Sequence, residues 1–239
     1  MKGLLVAVQF LTRLPMPRIA VSDAEFARSM RWFPVVGLIV GAIVAGGAWA
    51  GALIDPWIGA LAGLILWVGV TGALHLDGLG DIADAAGAVH KGRERLLAVL
   101  ADPHLGSFGA VAIGLQLIAK LILLRVAIDA RLLPAVIAIA FAARIGPLLW
   151  TRLLPSLHEG LAARFRDSIG WPHILLWFAV LLMTAWFVPA LLAAPLFMLL
   201  WSAKLRRTIG GISGDGHGAG IELVESGLLL VTIVVARVA

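Results

Sequence analysis

The chain has no cysteine. Disulfides, thiolate catalysis, iron–sulfur clusters and cysteine-type zinc sites are therefore excluded. Charge is also scarce: of 239 residues only 14% are Asp, Glu, Lys or Arg, while 61% are hydrophobic. A soluble domain is about 45–50% apolar and about one quarter charged. With a mean hydropathy of +1.01, the composition describes an all-α polytopic membrane protein, a helix bundle forming one integral domain over residues 1–239. The net charge is +5, yet no aromatic-rich basic groove is visible. Lys and Arg instead sit between apolar runs, as the positive-inside rule produces, so the partner implied is the lipid bilayer and not nucleic acid. A signal-peptide cleavage site is missing as well. The stretch Met1 to Phe10, ended by Arg13, Pro15 and Pro17, reads as an interfacial or re-entrant segment with Arg13 and Arg18 towards anionic lipid or an anionic ligand.

Apolar runs of spanning length occupy about 33–54, 57–74, 108–128, 132–151 and 172–203, with a shorter one at 221–236. The run at 172–203 is long for one crossing and contains Phe187-Val188-Pro189; two short helices turning there fit better than one. That gives about seven spans. With the N-terminus inside, Arg28, Arg31, Lys91, Arg93, Arg95, Arg152, Arg164, Arg166, Lys204, Arg206 and Arg207 face the cytoplasm. Only Arg125, Arg131 and Arg237 fall outside. Every motif-bearing loop then lies on the cytoplasmic face of a cell membrane.

Three polar motifs interrupt this apolar frame. The first is His75-Leu76-Asp77-Gly78-Leu79-Gly80-Asp81-Ile82-Ala83-Asp84. Asp77, Asp81 and Asp84 are spaced i, i+4, i+7, so a helix projects all three from one face. Carboxylates that close repel, and the natural relief is a hard divalent cation such as Mg²⁺. Glycines 78 and 80 and the histidines His75 and His90 surround them. The second motif is Asp102-Pro103-His104-Leu105-Gly106-Ser107-Phe108-Gly109. It offers a metal ligand at Asp102 and open backbone amides near Gly106 for a phosphate, or else a helix N-cap supplied by Ser107 or Asp102. The third, Thr208 to Glu225, is so glycine-rich that it reads as a flexible loop able to approach an anion through Gly214. Asp215 and His217 would add a ligand or base there, with Arg206 and Arg207 upstream as phosphate clamps.

Lys120, Arg144 and Glu222 fall inside apolar runs. Such residues face a bundle interior and mark sites; Glu222 or an anionic substrate is the expected partner of the two cations, and snorkelling to the interface is the alternative. Carboxylates for Mg²⁺, cations and backbone donors together are what phosphoryl transfer requires.

The motifs together resemble the cobalamin synthase family, the adenosylcobinamide-GDP ribazoletransferases. Phe10-Leu11-Thr12-Arg13-Leu14-Pro15 resembles the family's N-terminal element, and Phe33-Pro34-Val35-Val36-Gly37-Leu38 its first-span entry. Thr71 to Asp84 is similar to its HLDGLADxxD block, Asp102 to Gly109 to its DSRxGTxG segment, and Gly211 to Glu225 to its GxTGDxxGAxxELxE ending. The resemblance implies a Mg²⁺-dependent inner-membrane enzyme. In it, the 3′-hydroxyl of α-ribazole or its 5′-phosphate attacks the corrinoid-side phosphorus of adenosylcobinamide-GDP, and GMP leaves. It also implies Asp77, Asp81, Asp84, Asp102 and Asp215 as metal ligands, with His75 or one of the aspartates accepting the hydroxyl proton. Arg13, Asp102, His104, Gly106, Lys120, Arg144, Gly214, His217 and Glu222 are the candidates for holding substrate and phosphate. Two positions depart from the family. Pro103-His104 replaces Ser-Arg, exchanging a permanent cation for a titratable one, and Gly216-His217 stands where Thr-Leu is common.

Two other functions compete. A CDP-alcohol phosphotransferase needs DGxxAR, but Asp77-Gly78 is followed by Asp81-Ile82-Ala83-Asp84, with no Arg after the alanine. A cation transporter using Asp77, Asp81, Lys120 and Glu222 would be expected to show repeated halves, and no internal repeat is visible. A homo-oligomer or a complex with other cobamide-assembly enzymes suits so large a corrinoid substrate.

Overall fold

The computed structural model describes residues 2–89, 92–157 and 161–238, with the backbone alone for residues 161–164. His90 and Lys91 lie outside the described residues, as does the side chain of Arg164. The elements are helices: α1 (Lys2–Leu11), α2 (Asp23–Ser29), α3 (Phe33–Ala52), α4 (Pro56–Thr71), α5 (Leu74–Gly87), α6 (Arg93–Leu100) and α7 (Ser107–Asp129). They continue with α8 (Leu133–Ala143), α9 (Gly146–Leu153), α10 (Leu161–Ser168), α11 (Trp171–Ala185), α12 (Ala194–Thr208) and α13 (Gly214–Val238). Among the described residues there is no β-strand, only an isolated bridge between Ser156 and Ile212.

The bundle is apolar outside, and its largely apolar core encloses a few polar and charged side chains. On α7 the exposed stripe is Phe108, Val111, Leu115, Ile118 and Ile122, while the buried face carries Gln116 and Lys120. Lipid explains the first and internal pairing the second, because an unpaired polar group in hydrocarbon costs several kcal/mol. The helices approach through small residues, as membrane helices do when lipid offers no hydrophobic drive. A Cβ at Gly37 would lie 2.7 Å from the Phe141 Cα, and one at Gly41 would lie 2.6 Å from the Ile137 Cα, so α3 and α8 cross almost backbone to backbone.

Among the described residues four stretches are long and apolar enough to cross a membrane: 23–52, 107–129, 133–153 and 214–238. A fifth is reached if α4 and α5, bent by 83°, count as one broken span. The expected seven is not reached on length. The run at 172–203 does divide where the prolines predict, with Trp186 and Phe187 exposed at the turn. Its halves, α11 and α12, have 15 residues each, about 22 Å of helix against a hydrocarbon core of about 30 Å. The N-terminal segment is a short helix with Val6, Ala7, Val8 and Leu11 buried against the protein.

The third motif is corrected more fully. From Gly214 onward it is not a flexible loop but the start of the longest helix, and its glycines serve close packing. Gly218 lies against the backbone of His75 and Gly220 leaves room for Trp150 and Trp201. The Trp150 and Trp201 indoles donate to Met198 O and Gly216 O, both at 2.9 Å, tying α9, α12 and α13 together.

At the centre of the bundle Lys120 Nζ lies 2.7 Å from Glu222 Oε2 and 2.6 Å from Glu225 Oε2, and Arg144 Nη1 lies 2.7 Å from Glu225 Oε1. Gln116 Nε2 donates to Glu222 Oε2 and to Ser226 Oγ, both at 2.8 Å, and Lys120 sits 4.1 Å over the Trp67 ring. Two cations and two anions close into a neutral unit, which a low-dielectric interior tolerates.

Removing one member should therefore be costly. We expect Lys120→Met to destabilise the detergent-solubilised protein by about 3–5 kcal/mol, and the double change Lys120→Met/Glu222→Gln to recover much of the loss in thermal unfolding. Equal melting temperatures for wild type and Lys120→Met would show that the network is not needed for the fold.

Candidate active site

The site begins at the break between α4 and α5. Gly72 (φ 60°) and Ala73 (φ 59°) are both left-handed, and Ala73 does so against the steric preference of its Cβ. Such strain persists only where surrounding structure holds it. The Arg13 side chain packs over Gly72, where a Cβ would lie 2.7 Å from Arg13 Cγ, and the Arg13 amide donates to Val70 O at 2.7 Å. Arg13 thus braces the break, with its side chain exposed.

Beyond the break α5 presents Asp77, Asp81 and Asp84 on one face, as their spacing predicts. Gly78 lets α5 press on the start of α13, since a Cβ there would be 2.8 Å from the Asp215 backbone. Two motifs far apart in sequence so converge: the charged groups acting most strongly on Asp81 are Asp215, Asp77 and Asp84, all carboxylates. Asp215 also receives the Ser213 hydroxyl at 3.4 Å, and Ser213 Oγ accepts the Gly216 amide at 3.1 Å as α13 begins.

Asp84 has a further task. Its Oδ2 accepts the Gly106 amide at 2.8 Å and its Oδ1 the Gly109 amide at 2.9 Å. α7 has no side-chain cap of its own, so neither Ser107 nor Asp102 supplies one; Asp84 caps the helix from another element. The Gly106 amide, expected to meet a phosphate, is already bonded. Asp102 and His104 line a separate shallow cleft with Asp84 and Gly106. His104 Nδ1 lies 2.7 Å from Asp102 Oδ1, and this bond holds the exposed Asp102 carboxyl below the ordinary carboxylate range.

His75, Asp77, Gly214, Asp215 and His217 line a different cavity, of about 140 Å³. His75 is buried, and neither ring nitrogen has a hydrogen-bond partner. His217 Nε2 lies 3.3 Å from Thr151 Oγ1, and its ring stacks on Trp150. Lys120, Arg144 and Glu222 line neither cavity and pair within the central network. Glu225, Gln116 and Thr151 were missed as individual residues. Glu225 had a signal, lying one helical turn after Glu222.

Among the described residues no three His, Asp or Glu side chains are gathered closely enough to hold one ion. The donor set nonetheless suits Mg²⁺, which is commonly held by one or two carboxylates together with waters and substrate phosphates.

The profile of the family described as Cobalamin-5-phosphate synthase matches residues 3–233. The chain belongs to that family. A relative from Novosphingobium aromaticivorans named adenosylcobinamide-GDP ribazoletransferase is 66% identical over 234 residues, 96% of this chain and 95% of that one. Proteins of the same name from Laribacter hongkongensis and Thiobacillus denitrificans are 49% and 44% identical, each over 99% of this chain and 98% of the relative. No solved structure matches. Family membership and apolar spans together make this a multi-pass membrane protein built for cobamide nucleotide-loop assembly.

The capping geometry gives a test. Asp84→Ala removes both acceptors from the α7 start and should cost about 1 kcal/mol. Hydrogen exchange at Gly106 and Gly109 should rise locally, while α13 stays protected. Unchanged exchange at those two amides would show that Asp84 does not cap the helix.

Proposed function

We propose that the chain is an adenosylcobinamide-GDP ribazoletransferase. It moves the adenosylcobinamide phosphate group from adenosylcobinamide-GDP onto the 3′-hydroxyl of α-ribazole or its 5′-phosphate. The new phosphorus–oxygen bond forms at the corrinoid-side phosphorus, the bond to the GMP phosphate breaks, and GMP carries away the electron pair. The single observation that carries this reading is the approach of Asp215 of α13 to the α5 acids, Asp77 and Asp215 lining one cavity and Asp77, Asp84 and Asp215 all acting on Asp81, in a chain of this family.

One or two carboxylates from among Asp77, Asp81 and Asp215 would hold Mg²⁺ together with waters and substrate phosphates, with Asp84 beside them already engaged in capping α7. When bound there, Mg²⁺ supplies the charge neutralisation that a diphosphate and a departing phosphate need. Asp102 lies with the second cleft and is the weakest of the expected ligands. Asp77 and His75 line the same cavity, so either is placed to accept the hydroxyl proton. Gly214 opens the α13 N-terminus, whose amides and dipole suit a phosphate oxygen. The motif end of the bundle carries Arg93, Arg206 and Arg207 around one surface cleft. The positive-inside rule sets such a face towards the cytoplasm, in the inner membrane.

Membranes carrying the protein, given adenosylcobinamide-GDP, α-ribazole phosphate and Mg²⁺, should release GMP and form the cobamide in equal amounts. EDTA should abolish both, and Asp77→Asn should lower the rate by at least about 10²-fold. No GMP from well-folded protein would overturn the assignment.

A further inference from the structure

The cavity beneath Asp77 and Asp215 changes chemistry with depth. Its walls include Phe10, Met30, Phe33, Pro147, Phe165 and Ile221, and among the described residues no Lys or Arg lines it. The rings are held as a set. Phe10 stacks on Phe33 with centroids 5.9 Å apart and planes at 23°, Phe26 meets Phe10 edge-on at 5.0 Å, and Phe165 packs 5.4 Å from Phe26. These residues come from α1, α2, α3 and α10, so four elements fix one aromatic box.

Size and polarity narrow the occupant. The volume is about 140 Å³, comparable with the apolar cavity of about 150 Å³ that accepts a benzene-sized ring in another protein. A corrin macrocycle is far too large, and a diphosphate would find no cation among the described residues. Guanine would bring donors and acceptors on several edges that these walls leave unpaired, at a cost in affinity. Apart from the Asp77 and Asp215 carboxylates, the polar side chains that line it are two imidazoles. His75 is 2% and His217 8% exposed, and three of their four ring nitrogens (both of His75 and Nδ1 of His217) lack a partner. These nitrogens are shielded within the wall, so apart from the two carboxylates the cavity presents chiefly apolar and aromatic surface to a guest.

We infer that this cavity is the base subsite: it receives the heterocyclic base of the nucleoside substrate and selects a flat, largely apolar ring system over a purine with its polar edges. The inference rests on the function proposed above. With the base among the phenylalanines, the attached ribose falls at the mouth, where Asp77 and Asp215 line the opening. One pocket thereby chooses the acceptor and orients its hydroxyl.

The test uses the full-length protein in nanodiscs, with a benzimidazole nucleoside and the corresponding adenine nucleoside as probes. Equilibrium binding in EDTA reads the pocket without turnover, and GMP release reads KM for each substrate. Ile221→Phe fills the cavity from α13, and Phe33→Leu loosens its wall. Filling should weaken benzimidazole nucleoside binding by roughly tenfold or more and raise its KM by more than kcat falls, with the KM for adenosylcobinamide-GDP unchanged. Loosening should narrow the preference over the adenine nucleoside. If GMP release proceeds and Ile221→Phe leaves nucleoside binding unchanged, or instead raises the KM for adenosylcobinamide-GDP, the subsite assignment is overturned while the reaction stands. If no GMP forms with either protein but the benzimidazole nucleoside still binds and Ile221→Phe weakens it, the reaction assignment fails and the pocket remains. Should Phe33→Leu fail to fold, the Ile221→Phe comparison alone decides.

Discussion

The structure depends on a neutral quartet of charges buried where a membrane protein can least support an unpaired one. Lys120 from α7 and Arg144 from the α8–α9 junction share Glu225 of α13, and Glu222 completes the set. Each charge removed from water costs several kcal/mol, and only close pairing offsets it. The network therefore acts as a register lock. Sliding α13 by one residue would rotate it by about 100° and separate at least one pair. Trp67 beneath Lys120 extends the lock to α4.

α13 carries that register outward to the site. Asp215 at the mouth, His217 and Ile221 in the cavity wall, and Glu222 and Glu225 in the network lie on one uninterrupted helix. Asp215 and Glu225 are about 15 Å apart along its axis. His75 joins the two ends: its backbone packs against Gly218, it lines the cavity, and the charges of Arg144, Glu225 and Lys120 act on it. Asp215 is thus aimed by a helix whose rotation is fixed well inside the bundle, and a rigid element holds a side chain more accurately than a loop.

Much of this was legible in the sequence, and the failures have physical causes. The common face of Asp77, Asp81 and Asp84 follows from helical period alone, and the break near Val188-Pro189 follows from proline. The glycines after Gly214 misled because glycine suggests a loop when read alone. Between membrane helices the same absence of a side chain permits close contact, which only the partners His75, Trp150 and Trp201 reveal. Likewise Glu225 finds Arg144 and Lys120 at separations of 81 and 105 residues, beyond any local pattern. Asp84 read as a ligand because its spacing matches its neighbours, whereas its oxygens point to amides 22 and 25 residues ahead. The count of seven spans is not confirmed, because α11 and α12, into which the longest apolar run divides, are each shorter than a full crossing.

The division of labour among the acids follows from this geometry. Had α7 been capped by its own Ser107, Asp84 would have remained a fourth mobile charge repelling Asp81, and the mouth would need more neutralisation. Drawing Asp84 onto the Gly106 and Gly109 amides does two things at once. It places a carboxylate where the helix dipole of α7 favours negative charge, and it pins α5 to α7 beside the acids that remain. Glycine at both positions is what permits this, because a Cβ at Gly106 or Gly109 would collide with the Asp84 carboxylate. An acid that matches a metal motif by spacing therefore secures the platform, while Asp77 and Asp215 line the cavity beside it.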